Sequence, residues 1–188
     1  MVKLINLSFL AKIMEEYILY EVYSQICESP GSEEVGFVPD GLAGGGHFGI
    51  AGAGILIFCP GLNEILLVKR TVKEDVDSPG LWSVPGGSRK IKEEGLLEEA
   101  LVTAVDETRD ELGSLPNGRI RKKPYFYEKP GSDFTYQTFI LEIEQEERNS
   151  FKPKLDWEND DCRWFKRDSL DGIELHPGLR DLLGEYLF

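Results

Sequence analysis

Basic charge is what this 188-residue chain most lacks: 21 Lys and Arg stand against 34 Asp and Glu, a formal net charge of -13. A groove that tracks nucleic-acid phosphates draws its affinity from Lys and Arg, so no long nucleic acid is expected as a partner. Small phosphorylated compounds stay open, because a bound metal reverses the local sign of the field. Cysteine is scarce too. Cys27, Cys59 and Cys162 form no C-x-x-C pair, which leaves no disulfide framework or zinc site and points to a reducing cytosol. The two histidines, His47 and His176, have no Cys or His at ligand spacing, and each is read as structural or exposed. No apolar run approaches the roughly 18 residues that a membrane span needs, so no membrane partner is expected. The apolar start, Met1 to Met14, is interrupted by Lys12 and shows no small-residue cleavage pattern before Glu15, which makes the cytoplasm the expected location.

What is present describes one globular domain with an extension. Hydrophobic residues at 41% and charged residues at 29% suit a packed, water-soluble core. Leu4, Leu7, Ala11, Met14, Ile18 and Val22 fall near helical spacing, so an amphipathic helix is expected to about Cys27. Breakers follow at Ser29 to Ser32 and from Pro39 to the glycine run 44–46. Residues 1–46 are therefore read as a helical extension and linker, and 47–188 as the main domain. The leading helix is expected to pack against that domain or against a second copy in a homodimer.

The main domain reads as strands around one long helix. Phe48 to Phe58 and Glu64 to Arg70 predict a hairpin, and Leu81 to Pro85 a short extended piece that enters a glycine turn. Leu96 to Leu112 carries a buried stripe at helical spacing, closed by Gly113, where a helix end favours positive φ. Strands are expected at 119–128, 134–144 and 161–167, and a closing helix at 177–187. Hairpin-linked strands on both sides of a central helix imply an α/β (α+β) sandwich with a mixed sheet, not a doubly wound nucleotide fold.

The chemistry concentrates at the end of the long helix. Glu107, Asp110 and Glu111 stand at i, i+3 and i+4 and so project from one face. Like charges stacked in this way repel, and a cation would neutralise them. A hard divalent ion such as Mg2+, with Mn2+ as the alternative, prefers oxygen ligands and completes its shell with water and substrate phosphates. A solvated acidic face is the competing reading. The Pro-Gly-Gly sequence ahead of the helix favours the metal, because that combination is specific.

These residues resemble the signature of the Nudix hydrolases: Gly, five residues, Glu, seven residues, then Arg-Glu-aliphatic-x-Glu-Glu-x-Gly-aliphatic. Gly87 matches the leading Gly, Glu98 the first Glu, Glu107 the Glu of the Arg-Glu pair, Asp110 and Glu111 the Glu-Glu pair, and Gly113 the closing Gly. Gly54 to Phe58, Ile65 to Arg70 and Gly80 to Gly87 look like the strands that precede this box. The resemblance implies an α/β/α sandwich and hydrolysis of the diphosphate bond in a nucleoside diphosphate linked to another moiety, such as a nucleotide sugar, ADP-ribose, a dinucleotide or a nucleoside triphosphate. It implies Mg2+ held by Glu107, Asp110, Glu111 and the carbonyl of Gly87, since glycine permits close backbone approach. Glu158 is the expected general base or additional ligand, with Glu107 its rival as base.

Three positions depart from the signature. Glu98 lies eleven positions after Gly87 where six are expected, Asp106 replaces the Arg, and Ser114 replaces an aliphatic residue. The family Arg braces the loop against the helix, whereas Asp106 near Glu98 repels. Either a cation of the longer loop, among Arg89, Lys90 and Lys92, meets Asp106, or Asp106 faces water. A non-catalytic Nudix-like nucleotide-binding or regulatory module is the alternative function. An isoprenoid diphosphate isomerase needs a Cys and Glu pair that Cys59 does not suit. Tyr125, Phe126, Tyr127 and Tyr136 stay open between base stacking and packing.

Overall fold

The computed structural model describes residues 51–73, 78–91, 97–121 and 123–185. The expected leading helix and the glycine linker lie outside the described residues. Eight strands form one sheet: β1 (Ala51–Cys59), β2 (Glu64–Arg70), β3 (Trp82–Ser83), β4 (Gly86–Ser88), β5 (Arg119–Ile120), β6 (Tyr125–Glu128), β7 (Thr135–Glu142) and β8 (Asn159–Lys166). Three helices accompany them, α1 (Ala100–Leu112), α2 (Gln145–Ser150) and α3 (Pro177–Glu185).

β1 is central. It pairs antiparallel with β2 through Ile57↔Leu66 and Cys59↔Glu64, and antiparallel with β4 through Gly52↔Ser88 and Gly54↔Gly86. Its other edge runs parallel to β7 from Ala51↔Thr135 to Phe58↔Glu142. β8 lies along β2, and β5 and β6 each pair antiparallel with β7. One parallel pair among antiparallel ones makes the sheet mixed, as expected. Side chains alternate between faces. Leu56 and Phe58 of β1, with Ile65, Leu67 and Ile140, join Leu175, Leu179 and Leu182 from the α3 region in one core. Ile55 and Ile57 point to the opposite face, where α1 packs on β1, β4 and β7. Every β1 residue is buried because both faces are covered, which is the α/β/α sandwich. Each large aliphatic side chain buried there contributes roughly 1.5–3 kcal/mol.

Several expectations need correction. The long helix begins at Ala100, not at 96, because Glu98 N–H donates to the Lys90 carbonyl at 2.8 Å and Ile91 bridges Leu97. Those contacts pinch the base of the longer loop and keep its exit extended. The expected strand 119–128 is two strands: Pro124 has no N–H, and β5 and β6 meet different parts of β7. Gly86 and Gly87 form strand β4, not a free turn. Helix α2 was not anticipated; its Glu146 and Glu147 in the first turn and Arg148 in the last complement the helix dipole. The hairpins β1–β2 and β6–β7 are as expected, the second closed by Lys129 N–H to the Phe134 carbonyl at 3.0 Å.

Candidate active site

The acidic residues of α1 meet the glycine strand. An alanine Cβ at Gly87 would lie 2.5 Å from the Glu107 carboxyl carbon, so the glycine makes room for that carboxylate. One turn later, Glu111 is only 3% exposed. Its Oε1 accepts the Gly86 N–H at 2.8 Å, and its Oε2 accepts Asn159 Nδ2 at 2.6 Å. The end of α1 is further capped by the incoming chain: Lys154 N–H donates to the Leu112 carbonyl at 2.7 Å and Asp156 N–H to the Glu111 carbonyl at 3.2 Å. Gly113 takes a left-handed φ of 75°, as expected.

Electrostatics separates the two glutamates. Burial raises the Glu107 carboxyl above its usual range; Lys90 opposes the rise, while Asp110, Glu158 and Asp106 add to it. Glu107, Asp110 and Glu158 therefore share one electrostatic neighbourhood, although Glu158 is 47 positions beyond Glu111 in sequence. Burial pushes Glu111 up to about 8, against the Gly86 N–H, the Asn159 amide and Arg70. Asp106 and Asp110 are exposed. Among the described residues, no three His, Cys, Asp or Glu side chains form a ready-made metal cluster.

The residues nevertheless fit a divalent cation. Glu107 collects like charge from three acids against one opposing cation, and a divalent ion reverses that balance. Glu111 uses one hydrogen bond per oxygen, and a carboxylate offers about four lone-pair sites, so it retains capacity for an ion.

The helix start is held in an unforeseen way. The Glu98 carboxylate accepts the Thr103 hydroxyl at 3.0 Å, and the Arg89 guanidinium donates to the Glu98 carbonyl at 2.7 Å. Arg89, one of the three loop cations, thus meets Glu98 through its main chain; Asp106 is exposed, and Lys92 lies outside the described residues.

On the other face of β4 lies a cavity of about 200 Å³. Tyr127, Phe134 and Tyr136 supply aromatic wall, and Arg70, Lys129 and His176 supply polar nitrogen; among the described residues that line it none is Asp or Glu. Tyr136 is seated by glycines: a Cβ at Gly52, Gly54 or Gly86 would collide with its ring or hydroxyl. Of the four aromatics left open by the sequence, Tyr125 belongs to the core, Phe126 is exposed, and Tyr127 and Tyr136 line the cavity. His176 was read as structural; its Nδ1 accepts the Gly178 N–H at 3.2 Å, and it also borders the cavity. Asn159, Thr103 and the cavity residues Arg70, Lys129 and Phe134 were missed. Asn159 gave no signal, since it sits inside an acidic run; Lys129 and Phe134 flank a recognisable hairpin turn.

Known proteins share the family and the fold. The family model described as NUDIX domain matches residues 50–185. Among solved structures, a MutT NUDIX hydrolase from Burkholderia pseudomallei superposes with a TM-score of 0.53 at 21% identity, covering 72% of this chain and 96% of its own. An Ap4A hydrolase from C. elegans, solved as a binary complex, gives 0.53 at 20% identity, covering 72% and 93%. The MutT protein from Methanosarcina mazei Go1 gives 0.53 at 18%, covering 72% and 90%. At these identities the likeness shows the fold alone. No curated protein sequence matches the chain.

Proposed function

The chain belongs to the Nudix family, as an enzyme of the pyrophosphohydrolase type, and from that premise we propose that it hydrolyses the diphosphate bond of a nucleoside diphosphate linked to another moiety, with Mg2+ as cofactor. Nudix hydrolases generally use divalent metals. The observation that carries the reading is the meeting of Glu107 with Gly87, with the charges of Asp110 and Glu158 felt at the same carboxylate.

Glu107, Asp110, Glu111 and the Gly87 carbonyl are assigned to hold the cation, and Mn2+ is a workable substitute. When bound, such an ion neutralises diphosphate oxygens and makes a water acidic enough to act as nucleophile near neutral pH. The remaining tasks fall to the chain. Glu158 is assigned as the base that takes a proton from the attacking water. Glu107, raised by burial, can hold that proton in its place. The β4 backbone, which borders both the cavity and Glu107, is assigned with Arg70 to position the diphosphate, and the aromatic wall to receive the nucleoside.

The division into an extension, 1–46, and a catalytic domain, 47–188, belongs to the same proposal, as do a cytoplasmic location and pairing of two copies. Among the described residues no helix is long and apolar enough to cross a membrane.

The test is nucleotide or phosphate release from ADP-ribose, NADH, dinucleoside polyphosphates and nucleoside triphosphates with Mg2+. Turnover of at least one, abolished by Glu107→Gln, is the expected result. Binding without turnover across the panel would replace the enzyme with a nucleotide-binding module.

A further inference from the structure

Three elements converge on the Glu111 carboxylate: β4 through the Gly86 N–H, α1 which carries it, and the first residue of β8 through Asn159. The Asn159 amide also approaches Asp156 Oδ1 at 3.4 Å, and that oxygen accepts the N–H of Glu158 at 3.0 Å. Glu158 in turn gives its carbonyl to Thr71 N–H at 2.8 Å, directly after the β-bulge between Lys69 and Arg70. A continuous set of hydrogen bonds therefore runs from Gly86, beside Glu107's partner Gly87, to the residue assigned as base.

Asn159 is 6% exposed, and its Oδ1 is buried with no hydrogen-bond partner. An unpaired buried acceptor is unfavourable, and proteins seldom retain one without a reason. Here the reason is orientation. Both neighbours of the amide nitrogen are carboxylate oxygens, so a flipped amide would set oxygen against the Asp156 oxygen, and against that of Glu111 whenever Glu111 is ionised, as in holding a cation. The donor end has to face Glu111 and Asp156, and Oδ1 goes unpaired as a result.

We propose that Asn159 is a positioning residue of the hydrolytic site: by holding Glu111 and Asp156 together it fixes Glu158 and the glycine strand relative to Glu107. This rests on the hydrolase reading above. It acts on no reacting atom. Its effect is to keep the cation-holding residues and the base in register, as outer-shell partners of metal ligands do.

The test uses the full chain with Asn159→Ala and Asn159→Ser, the shorter serine hydroxyl keeping a donor that can reach Glu111 through a bridging water. Mn2+ affinity is measured by electron paramagnetic resonance, and kcat and KM with the best substrate of the panel. For Asn159→Ala the expected result is Mn2+ binding weakened roughly 10–100-fold and kcat lowered by a similar factor, with KM within about threefold. Asn159→Ser should fall between alanine and wild type. Mn2+ affinity and kcat within about twofold of wild type in the alanine variant would overturn the proposal. So would activity lost only in proportion to folded protein, with unchanged Mn2+ affinity in the folded fraction. If Asn159→Ala does not fold, the serine variant decides by the same Mn2+ measurement. If the wild type binds Mn2+ yet hydrolyses nothing, the hydrolase reading fails while the Mn2+ comparison still judges Asn159.

Discussion

The two ends of α1 are built on different plans. At the C-terminal end, Glu111 is buried, both of its oxygens are engaged, and residues 154–156 cap the last carbonyls. At the N-terminal end the helix starts without a side-chain cap. Its neighbour Glu98 accepts a threonine hydroxyl at its carboxylate and a guanidinium at its carbonyl. The lesson is that the acid-bearing end is tightly determined, whereas the bracing end is held by single charge-assisted contacts, a hydroxyl to a carboxylate and a guanidinium to a carbonyl. A family Arg at position 106 would bring an ionic brace; Thr103 and Arg89 do part of that task without opposing Asp106.

This contrast can be broken by substitution. The largest effect is expected for Glu107→Gln, which removes the carboxylate nested against Gly87; kcat should fall at least ~100-fold with little change in thermal midpoint. A loss under threefold would show that the tightly determined end is not the reactive one.

Next in size is a pH effect at Glu111. Its folded pKa of about 8 lies above the ordinary 4.5, so without metal the folded state binds the proton more tightly than the unfolded state. Stability from this group is complete below about pH 4.5 and is lost as pH rises through about 8. Denaturant titrations in EDTA should therefore show a decline on the order of a few kcal/mol between pH 6 and 9. Mg2+ should reduce that slope, and Glu111→Gln should remove it. A flat profile in wild-type protein would mean that the buried carboxylate is solvated in solution.

Thr103→Val tests the other end. Losing one side-chain hydrogen bond should lower stability by about 1 kcal/mol and kcat by only a few-fold, read by melting and initial rates. The smallest effect is expected for Asp106→Arg. An exposed position away from buried features should change stability by less than ~0.5 kcal/mol and leave kcat within about twofold. A stability loss above about 1 kcal/mol would show that the bracing end carries more than its contacts indicate.

Much of the fold was readable because its signals are local. The hairpin around Pro60 to Asn63, the helix ending at Gly113 and the turn at Lys129 to Ser132 are each announced by breakers beside periodic apolar residues. Spacing alone placed Glu107, Asp110 and Glu111 on one helix, but it could not separate a half-buried Glu107 from a sequestered Glu111. That difference comes from Gly86 and Asn159, which approach from strands 25 and 48 positions away. Ladder pairing likewise decided that Gly86 to Ser88 extends as a strand, since β1 supplies the partner groups. The start of α1 was misplaced for the same reason, because the contacts of Lys90 and Ile91 across the loop outweigh the helical propensity of residues 97–99.

The glycines around Tyr136 carry a consequence for how this site can vary between related chains. The Tyr136 ring and hydroxyl crowd Gly52, Gly54 and Gly86, the Pro85 carbonyl also closes on Gly54 and the Ala53 carbonyl on Gly86, and a carboxylate crowds Gly87 on the opposite face. A methyl group at Gly54 or Gly86 meets a backbone carbonyl that is held in the sheet, whereas one at Gly87 would push the Glu107 carboxylate aside. Position 52 is therefore coupled to 136, where a smaller residue would have to come first, whereas 54 and 86 also meet backbone and stay glycine whatever stands at 136. Position 87 stays tied to Glu107 whatever happens on the cavity side. Divergence in substrate choice has an easier route through the rim, at Lys129 and Phe134, where a replacement disturbs neither the strand nor the acids behind it.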